Sequence, residues 1–495
     1  MLNFAIFLIF HNWLTLGSLL VCIHLLGIVA ACHAILHTRT SQGAIAWAVS
    51  LVAMPYLTLI PYLFLGRSKF AGYADARRLR NEILRHHPCA PSPQEKSAPH
   101  APTAPLDATH VDFDERTLQT LTRLGGMPPV EGNQVRLLVN GAETFEAIFA
   151  AIEQAQRYVI VQFFIVRDDA LGQRLKDALL ACVARGVRVY FLYDSIGCFD
   201  LPKRYVQALR AGGVNAHPFF THHYFVNRFQ LNFRNHRKIV VVDGERAFVG
   251  GHNVGVEYLG EKPPLSPWRD THIEVRGPAV ANIEFVFTED WFWATQRLPE
   301  HYPASGTVKK EAHDMRCLVM PTGPADHYET CSLCFVELAR AARKRLWITT
   351  PYLVFDEAVF AALRLAALRG VDVRVLIPAR RDHYVVFEAS MLYAWDAVRA
   401  GIRVFRYQPG FLHQKVALID DTAAAIGTAN LDNRSFRLNF ELMVLTVHRG
   451  FAAQVEAMLL HDFADSLEIS QREYRNAPAW HKMAMHVARL FAPIL

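Results

Sequence analysis

Two long apolar runs open the chain. Leu14 to Leu36 holds no Asp, Glu, Lys or Arg over 23 residues, and Ala44 to Leu65 holds none over 22. At about 1.5 Å per residue, each suffices for a hydrocarbon core of about 30 Å. With the polar HTRTSQG between them, the pattern predicts a two-helix transmembrane hairpin, spans at about 14–36 and 44–65. Pro55 and Pro61 fall in the second run, where a membrane helix tolerates proline better than a soluble one does. Buried core helices are the alternative. For the first run a cleaved signal peptide is another, although a basic n-region and an A-x-A-like site are missing. Leu2 to Phe10 is apolar but too short to span, and reads as interfacial or as an extension of the first helix. Arg39 alone is basic between the runs, whereas Arg67, Lys69, Arg77, Arg78, Arg80 and Arg85 follow the second. The positive-inside rule therefore places the rest of the chain in the cytoplasm.

From Pro88 to Pro105 the chain reads PCAPSPQEKSAPHAPTAP, a composition that builds no core and reads as a tether. Beyond it the order of features repeats. EAIFAAIEQAQRYVIVQFFIV followed by GVRVYFLYDS is answered by CFVELARAARKRLWITTPYLV followed by GVDVRVLIPA, and each series ends in Ala-Gly and a further strand. Alternating helix and strand periodicity predicts an α/β fold: two repeats with mixed sheets, packed as a pseudo-twofold bilobed body. The expected division is a membrane region over 1–70, a basic and Pro/Ala-rich linker over 71–129, a first domain over 130–310 and a second over 311–495.

Composition adds limits. Hydrophobic residues make up 52% and charged residues 20% of 495, with a net charge of +6. That leans away from disorder, and so modest a charge without a basic-aromatic stripe argues against a nucleic-acid partner. The eight cysteines show no framework, so reduced thiols in a cytosol-facing body are expected. Cys331 and Cys334 form a C-x-x-C in a helical-looking run, either buried helix residues or a metal or redox pair.

The repeat is sharpest in HRKIVVVDGERAFVGGHN (His236–Asn253) and HQKVALIDDTAAAIGTAN (His413–Asn430). Counting from each His, Lys stands at +2, Asp at +7, Gly at +14 and Asn at +17 in both. A solenoid repeats apolar positions, not His, Lys and Asn. On a strand His-x-Lys puts both side chains on one face. Asp243 and Asp420 fall in turn-like contexts at the strand ends, where they fix the turn rather than touch substrate. Gly250 and Gly427 let backbone approach closely. Two such half-sites supply a nucleophile, a general acid, two ammonium groups (Lys238 and Lys415) and two amides (Asn253 and Asn430). That set suits substitution at a phosphodiester. No metal or cofactor is expected, because no cluster of Asp, Glu or Cys ligands accompanies the histidines.

These residues resemble the phospholipase D superfamily, whose signature is H-x-K-x4-D-x6-G-x2-N in two copies. More narrowly the chain is similar to bacterial cardiolipin synthases that use two phosphatidylglycerols, through NVGVEYLG (Asn253–Gly260), WRDTH (Trp268–His272) and NLDNRSFRLNFE after the second motif. The resemblance implies that His236, Lys238, Asp243, His413, Lys415 and Asp420 form the catalytic motifs. His236 would be the nucleophile of a phosphohistidine intermediate and His413 the acid/base. It implies a carboxylate behind each His, Glu441 for His413 and Asp270 for His236, with a surface salt bridge as the alternative for either. Asn253, Asn430 and Thr428 would bind substrate. Gly251-His252 departs from the Ser or Thr that many members carry after the glycine, and Val256 stands where relatives often have an acid.

The implied reaction moves a phosphatidyl group from one phosphatidylglycerol to another in a bacterial inner membrane. Phosphatidylglycerol and membrane lipid are the expected partners, and a homodimer is left open. Water or another alcohol as acceptor, and a membrane-tethered nuclease, are the competing readings. The extra THHYFVNRFQL (Thr221–Leu231) either grips lipid or packs as a loop. The amphipathic C-terminus (His481–Leu495) either attaches to membrane or docks on the body.

Overall fold

The computed structural model describes residues 2–38, 40–66, 70, 73, 113–219, 232–300 and 314–494. The chain forms two units, Met1–Gly72 with Thr221–Phe233, and Tyr73–Phe220 with Arg234–Leu495. The insertion 221–231, the tether 88–105 and the basic residues Arg39, Arg67, Lys69, Arg77, Arg78, Arg80 and Arg85 lie outside the described residues.

In the first unit, helix Leu2–His37 contains one stretch, Gly17–His37, that is long and apolar enough to cross a membrane. The second expected span is not continuous. It is split into Ser41–Ala53 and Pro55–Leu65, each too short to cross about 30 Å as a straight helix. Pro55 supplies no N–H and disfavours helical backbone at the residue before it; Met54 accordingly sits at φ −140°, ψ 60°. Thr40 caps the first of these helices by accepting from the Gly43 N–H at 3.2 Å. Gly27 lets helix Leu2–His37 approach closely, since a Cβ there would meet the Leu51 carbonyl at 2.4 Å.

The second unit is built on one sheet of sixteen strands. Val130–Val139 and Met315–Thr322 pair antiparallel at its middle. To one side run Thr271–Arg276, Arg246–Gly250, Ile239–Val242, Tyr158–Phe163, Arg188–Asp194 and Asn215–Phe219. To the other run Asn439–Val447, Ala423–Gly427, Val416–Ile419, Arg345–Thr349, Asp372–Pro378 and Arg403–Tyr407. The inner strands are antiparallel, Tyr158–Phe163, Arg188–Asp194 and Asn215–Phe219 are mutually parallel, and so are Arg345–Thr349, Asp372–Pro378 and Arg403–Tyr407, with Ser466–Glu468 added antiparallel at that edge. The apolar runs IVVV and VALI after each His-x-Lys are fully buried, as their lack of alternation implies.

Crossover helices form for local reasons that repeat. Asp169 caps Ala170–Ala184 by accepting from the Gly172 N–H at 3.0 Å, and Leu171, Leu175, Leu179 and Cys182 make its buried stripe. Asp356 caps Glu357–Leu368 through the Val359 N–H at 2.9 Å, with Val359, Leu363 and Ala366 buried. Gly186 and Gly370, at φ +84° and +86°, let each chain leave its helix for the next strand. The expected linker 71–129 ends in a helix, Glu115–Gly125, whose Leu118 and Leu121 join the core of the second half. Cys331 and Cys334 are buried in helix Thr330–Ala341, and burial pushes the Cys334 thiol up to about 12. The C-terminal helix Ala479–Arg489 docks on the body through Met485 and Ala488, while Trp480, Met483, Val487 and Leu490 stay exposed.

Candidate active site

Each motif histidine is pinned by its backbone to the opposite half. Arg234–Asn235 pairs parallel with the start of Asn439–Val447, and the His236 N–H donates to the Phe440 carbonyl at 2.9 Å. Phe411–Leu412 pairs parallel with Trp268–Arg269, and the His413 N–H donates to the Arg269 carbonyl at 2.7 Å. The next residue on each partner strand is a carboxylate. His236 Nδ1 therefore meets Glu441 at 2.9 and 3.0 Å, and His413 Nδ1 meets Asp270 Oδ2 at 2.7 Å.

This corrects the sequence assignment of Glu441 to His413 and of Asp270 to His236. Each carboxylate meets the histidine of the other half. Neither is a surface ion pair, as both are fully buried.

The two imidazoles line one cavity of about 600 Å³, together with Asn253 and Asn430. Because Nδ1 is committed to a carboxylate, Nε2 is the nitrogen available for chemistry. Burial pulls His236 down to about 4, against the Glu441 charge and with the help of Lys238. Burial likewise holds His413 well below its ordinary value, with Lys415 and Lys238 adding to the effect. The low value leaves the His236 ring neutral, as a nucleophile requires. Phe164 lies edge-on to His236, and Trp268 is tilted against His413, each with ring centroids 5.0 Å apart.

Lys238 and Lys415 are fully buried and do not line the cavity. Their Nζ atoms donate to the carbonyls of His236 and His413 at 2.7 and 2.5 Å. Burial pulls Lys415 down to about 8.

Asp243 and Asp420 take no place on the cavity wall and hold backbone instead. Asp243 accepts from the N–H groups of Gln156, Arg157 and Tyr158 at 2.7–2.9 Å. Asp420 accepts from those of Arg343, Lys344 and Arg345 at 2.7–3.2 Å. Their grouping with the catalytic set is corrected accordingly, and the turn-fixing expectation describes them.

Thr428 is corrected as well. It is fully buried, donates to Glu441 Oε2 at 2.5 Å and accepts from the Leu442 N–H at 2.9 Å. Glu441 accepts further from Ser435 Oγ at 2.8 Å and Asn439 Nδ2 at 3.2 Å. At the matching position of the first motif, a Cβ on Gly251 would lie 2.0 Å from Asp270 Oδ1. The missing hydroxyl is thus the space that the aspartate occupies. His252 Nδ1 meets His272 Nδ1 at 3.0 Å in a buried pair.

Sequence reasoning missed the residue between His and Lys in each motif. Arg237, fully buried, donates to Asp290 at 2.8 Å and to the Glu441 carbonyl at 3.0 Å. Gln414 donates to Asp462 at 3.0 Å, which also takes Arg269 at 2.7 and 2.9 Å. The signal was faint: a charged or amide residue where an alternating strand would carry an apolar one.

A family model described as cardiolipin synthase, PLD-like domain, matches residues 148–264 and 335–463, and one described as phospholipase D-nuclease N-terminal matches 25–67. The chain is 58% identical over 489 residues to Cardiolipin synthase A of Pseudomonas aeruginosa, covering 97% of this chain and 96% of the relative. It is 56% identical over 484 residues to Cardiolipin synthase A of Pseudomonas fluorescens, covering 97% and 98%. Its fold is similar to the crystal structure of a phosphatidylserine synthase from Haemophilus influenzae, with a TM-score of 0.59 at 17% identity over 78% of this chain and 100% of that one. With its paired motifs and membrane-type N-terminus, the chain belongs to the bacterial cardiolipin synthases of the phospholipase D superfamily.

Proposed function

We propose that this enzyme transfers a phosphatidyl group from one phosphatidylglycerol to another, giving cardiolipin and glycerol through a phosphohistidine. The observation that carries the reading is the pair of carboxylate-held imidazoles on one cavity wall. His236 Nε2 attacks phosphorus as the bond to the departing glycerol oxygen breaks, and His413, entering the step as imidazolium with a proton on Nε2, gives that proton to the oxygen and is left neutral. The hydroxyl of a second phosphatidylglycerol then forms the new P–O bond as the P–N bond breaks, its proton passing to His413. Asn253 and Asn430 donate to the non-bridging oxygens, and the Lys238 and Lys415 charges stabilise them from behind. The same reading makes the two halves a pseudo-twofold pair. It takes the N-terminal helices as a membrane hairpin with the body on the cytoplasmic side.

The test supplies the full-length enzyme with phosphatidylglycerol alone. Cardiolipin and glycerol in equal amounts are the expected products, and His236→Ala and His413→Ala each abolish them. Phosphatidic acid as sole lipid product, or turnover surviving in either variant, overturns the reading.

A further inference from the structure

The C-terminal helix Ala479–Arg489 has an apolar residue set on each of two sides. One side docks on the body, where Met485 and Ala488 are buried, as is Ala492 just beyond the helix. His481 Nε2 meets Glu388 Oε2 at 2.9 Å there, and Arg489 donates to Asp396 Oδ2 at 2.9 Å. The other side carries Trp480, Met483, Val487, Leu490 and Phe491, each 47–77% exposed. Their spacing of three and four residues makes one continuous stripe. Exposed apolar side chains are ordinary when scattered singly, whereas five large ones on one stripe mark a surface that something covers.

Two observations say what covers it. The first is charge. Gln471 to Phe491 holds Arg472, Arg475, Lys482 and Arg489 against the one carboxylate of Glu473, which pairs with Arg406 at 2.6 Å. Lys482 Nζ donates to the Arg475 carbonyl at 2.9 Å, so basic residues flank the stripe. The core of a protein interface is depleted of lysine, whereas a basic helix with Trp, Met and Leu on one face fits the headgroup and acyl boundary of an anionic bilayer. Its 11 residues rise only about 16 Å, too short to cross a bilayer and long enough to lie in its surface.

The second observation is position. Glu388 and Asp396 both belong to helix Tyr384–Arg399, and both ion pairs span 93 residues, so the two helices run parallel. His383 and Val386, at the start of Tyr384–Arg399, line the catalytic cavity, and Tyr384 and Val385 beside them are 49% and 40% exposed. The Trp480 end of the C-terminal helix is therefore its cavity end. In the function proposed above, on which this step rests, donor and acceptor both reside in a bilayer and must reach that cavity. We propose that the stripe Trp480, Met483, Val487, Leu490 and Phe491 inserts into the lipid surface, a membrane contact in addition to the N-terminal helix. It holds the cavity rim at His383 and Val386 against the bilayer, so that lipid enters the site without leaving the membrane.

The experiment places photoreactive benzoylphenylalanine at Met483, at Leu490, or at Gln156, an exposed residue at the end of strand Tyr158–Phe163 remote from the cavity residue Phe164. Full-length enzyme is reconstituted into vesicles of phosphatidylglycerol and phosphatidylethanolamine, with an alkyne-tagged phosphatidylcholine as reporter. Light-dependent lipid adducts are expected at Met483 and Leu490 and not at Gln156. Adducts between two chains would put a second copy on the stripe, and no lipid adduct, or as much at Gln156, would leave it in water; each overturns the proposal. Activity gives an independent reading. Met483→Gln, Val487→Gln and Leu490→Gln together leave the docked Met485 and Ala488 untouched. The combined variant is expected to raise the apparent KM for vesicle phosphatidylglycerol about tenfold or more, the scale of one buried apolar side chain lost, at unchanged kcat. A fall in kcat at unchanged KM overturns the anchor. Photolabelling needs no turnover, so an enzyme that makes only phosphatidic acid overturns the proposed function and leaves the lipid contact standing.

Discussion

At the residue scale, the exchange of carboxylates between halves has a kinetic signature. An orienting carboxylate matters only through the imidazole it holds, so its loss should mimic loss of that imidazole's role. With phosphatidylglycerol, Asp270→Asn and Glu441→Gln should each lower kcat by about 10²- to 10⁴-fold, the range of general acid–base catalysis. With a phosphatidyl p-nitrophenyl ester the leaving group needs no proton, and the initial p-nitrophenol burst should recover in His413→Ala and Asp270→Asn together. Glu441→Gln should stay as slow as His236→Ala. Recovery of Glu441→Gln alongside His413→Ala would restore pairing within each half and refute the exchange. Acid stability supplies a second check. Burial pulls His252 and His272 down to about 3 and His236 to about 4, against about 6.5 in an unfolded chain. These bases are neutral when folded and take up protons when unfolded. Their contribution is therefore present above about pH 6.5 and is lost as pH falls toward 3–4. His252→Ala, which copies Ala429 of the second motif, should flatten the fall in Tm between pH 7 and 4, whatever it does to Tm at pH 7. An identical slope would show that the buried pair contributes nothing.

At the element scale, the motif aspartates act on strands. Asp243 gathers three N–H groups at the start of Tyr158–Phe163, and Asp420 does the same for Arg345–Thr349. Both aspartates hold a left-handed backbone, φ +56° and +51°, which costs little for Asp. Replacing either with Ala strands those donors, and a loss of about 2–4 kcal/mol is expected from unfolding in denaturant. Activity per folded molecule should persist, and its disappearance at unchanged stability would return the aspartates to the chemistry. These elements also show what the chain betrayed. The repeated strands, their buried IVVV and VALI runs, and the turn-fixing aspartates were readable because each depends on neighbours in sequence. The break at Met54 was readable in principle from Pro55, but uncharged length outweighed it. The partners of Glu441 and Asp270 were not readable, because they follow from parallel pairings only two residues long between segments more than a hundred residues apart in the chain.

At the scale of the whole body, that pairing makes the site a property of both halves. His236 takes its backbone anchor and its carboxylate from the second half, and His413 takes both from the first. The sheet runs unbroken across them through Val130–Val139 and Met315–Thr322. An isolated half would keep its His-x-Lys but expose that edge, and its imidazole would lose the group that fixes its tautomer. Neither residues 1–300 nor residues 314–495 should therefore turn over phosphatidylglycerol when produced alone. Produced together in one membrane, the two pieces should restore cardiolipin formation, because the backbone anchor and the carboxylate of each imidazole cross between them by strand pairing and side chains. The crossed variant decides whether the site is truly shared. A first piece carrying Asp270→Asn, combined with an intact second piece, should lose acid catalysis at His413, although His413 lies in the unmutated piece. Full activity in that combination, or turnover by one piece alone, would mean that each half completes its own site.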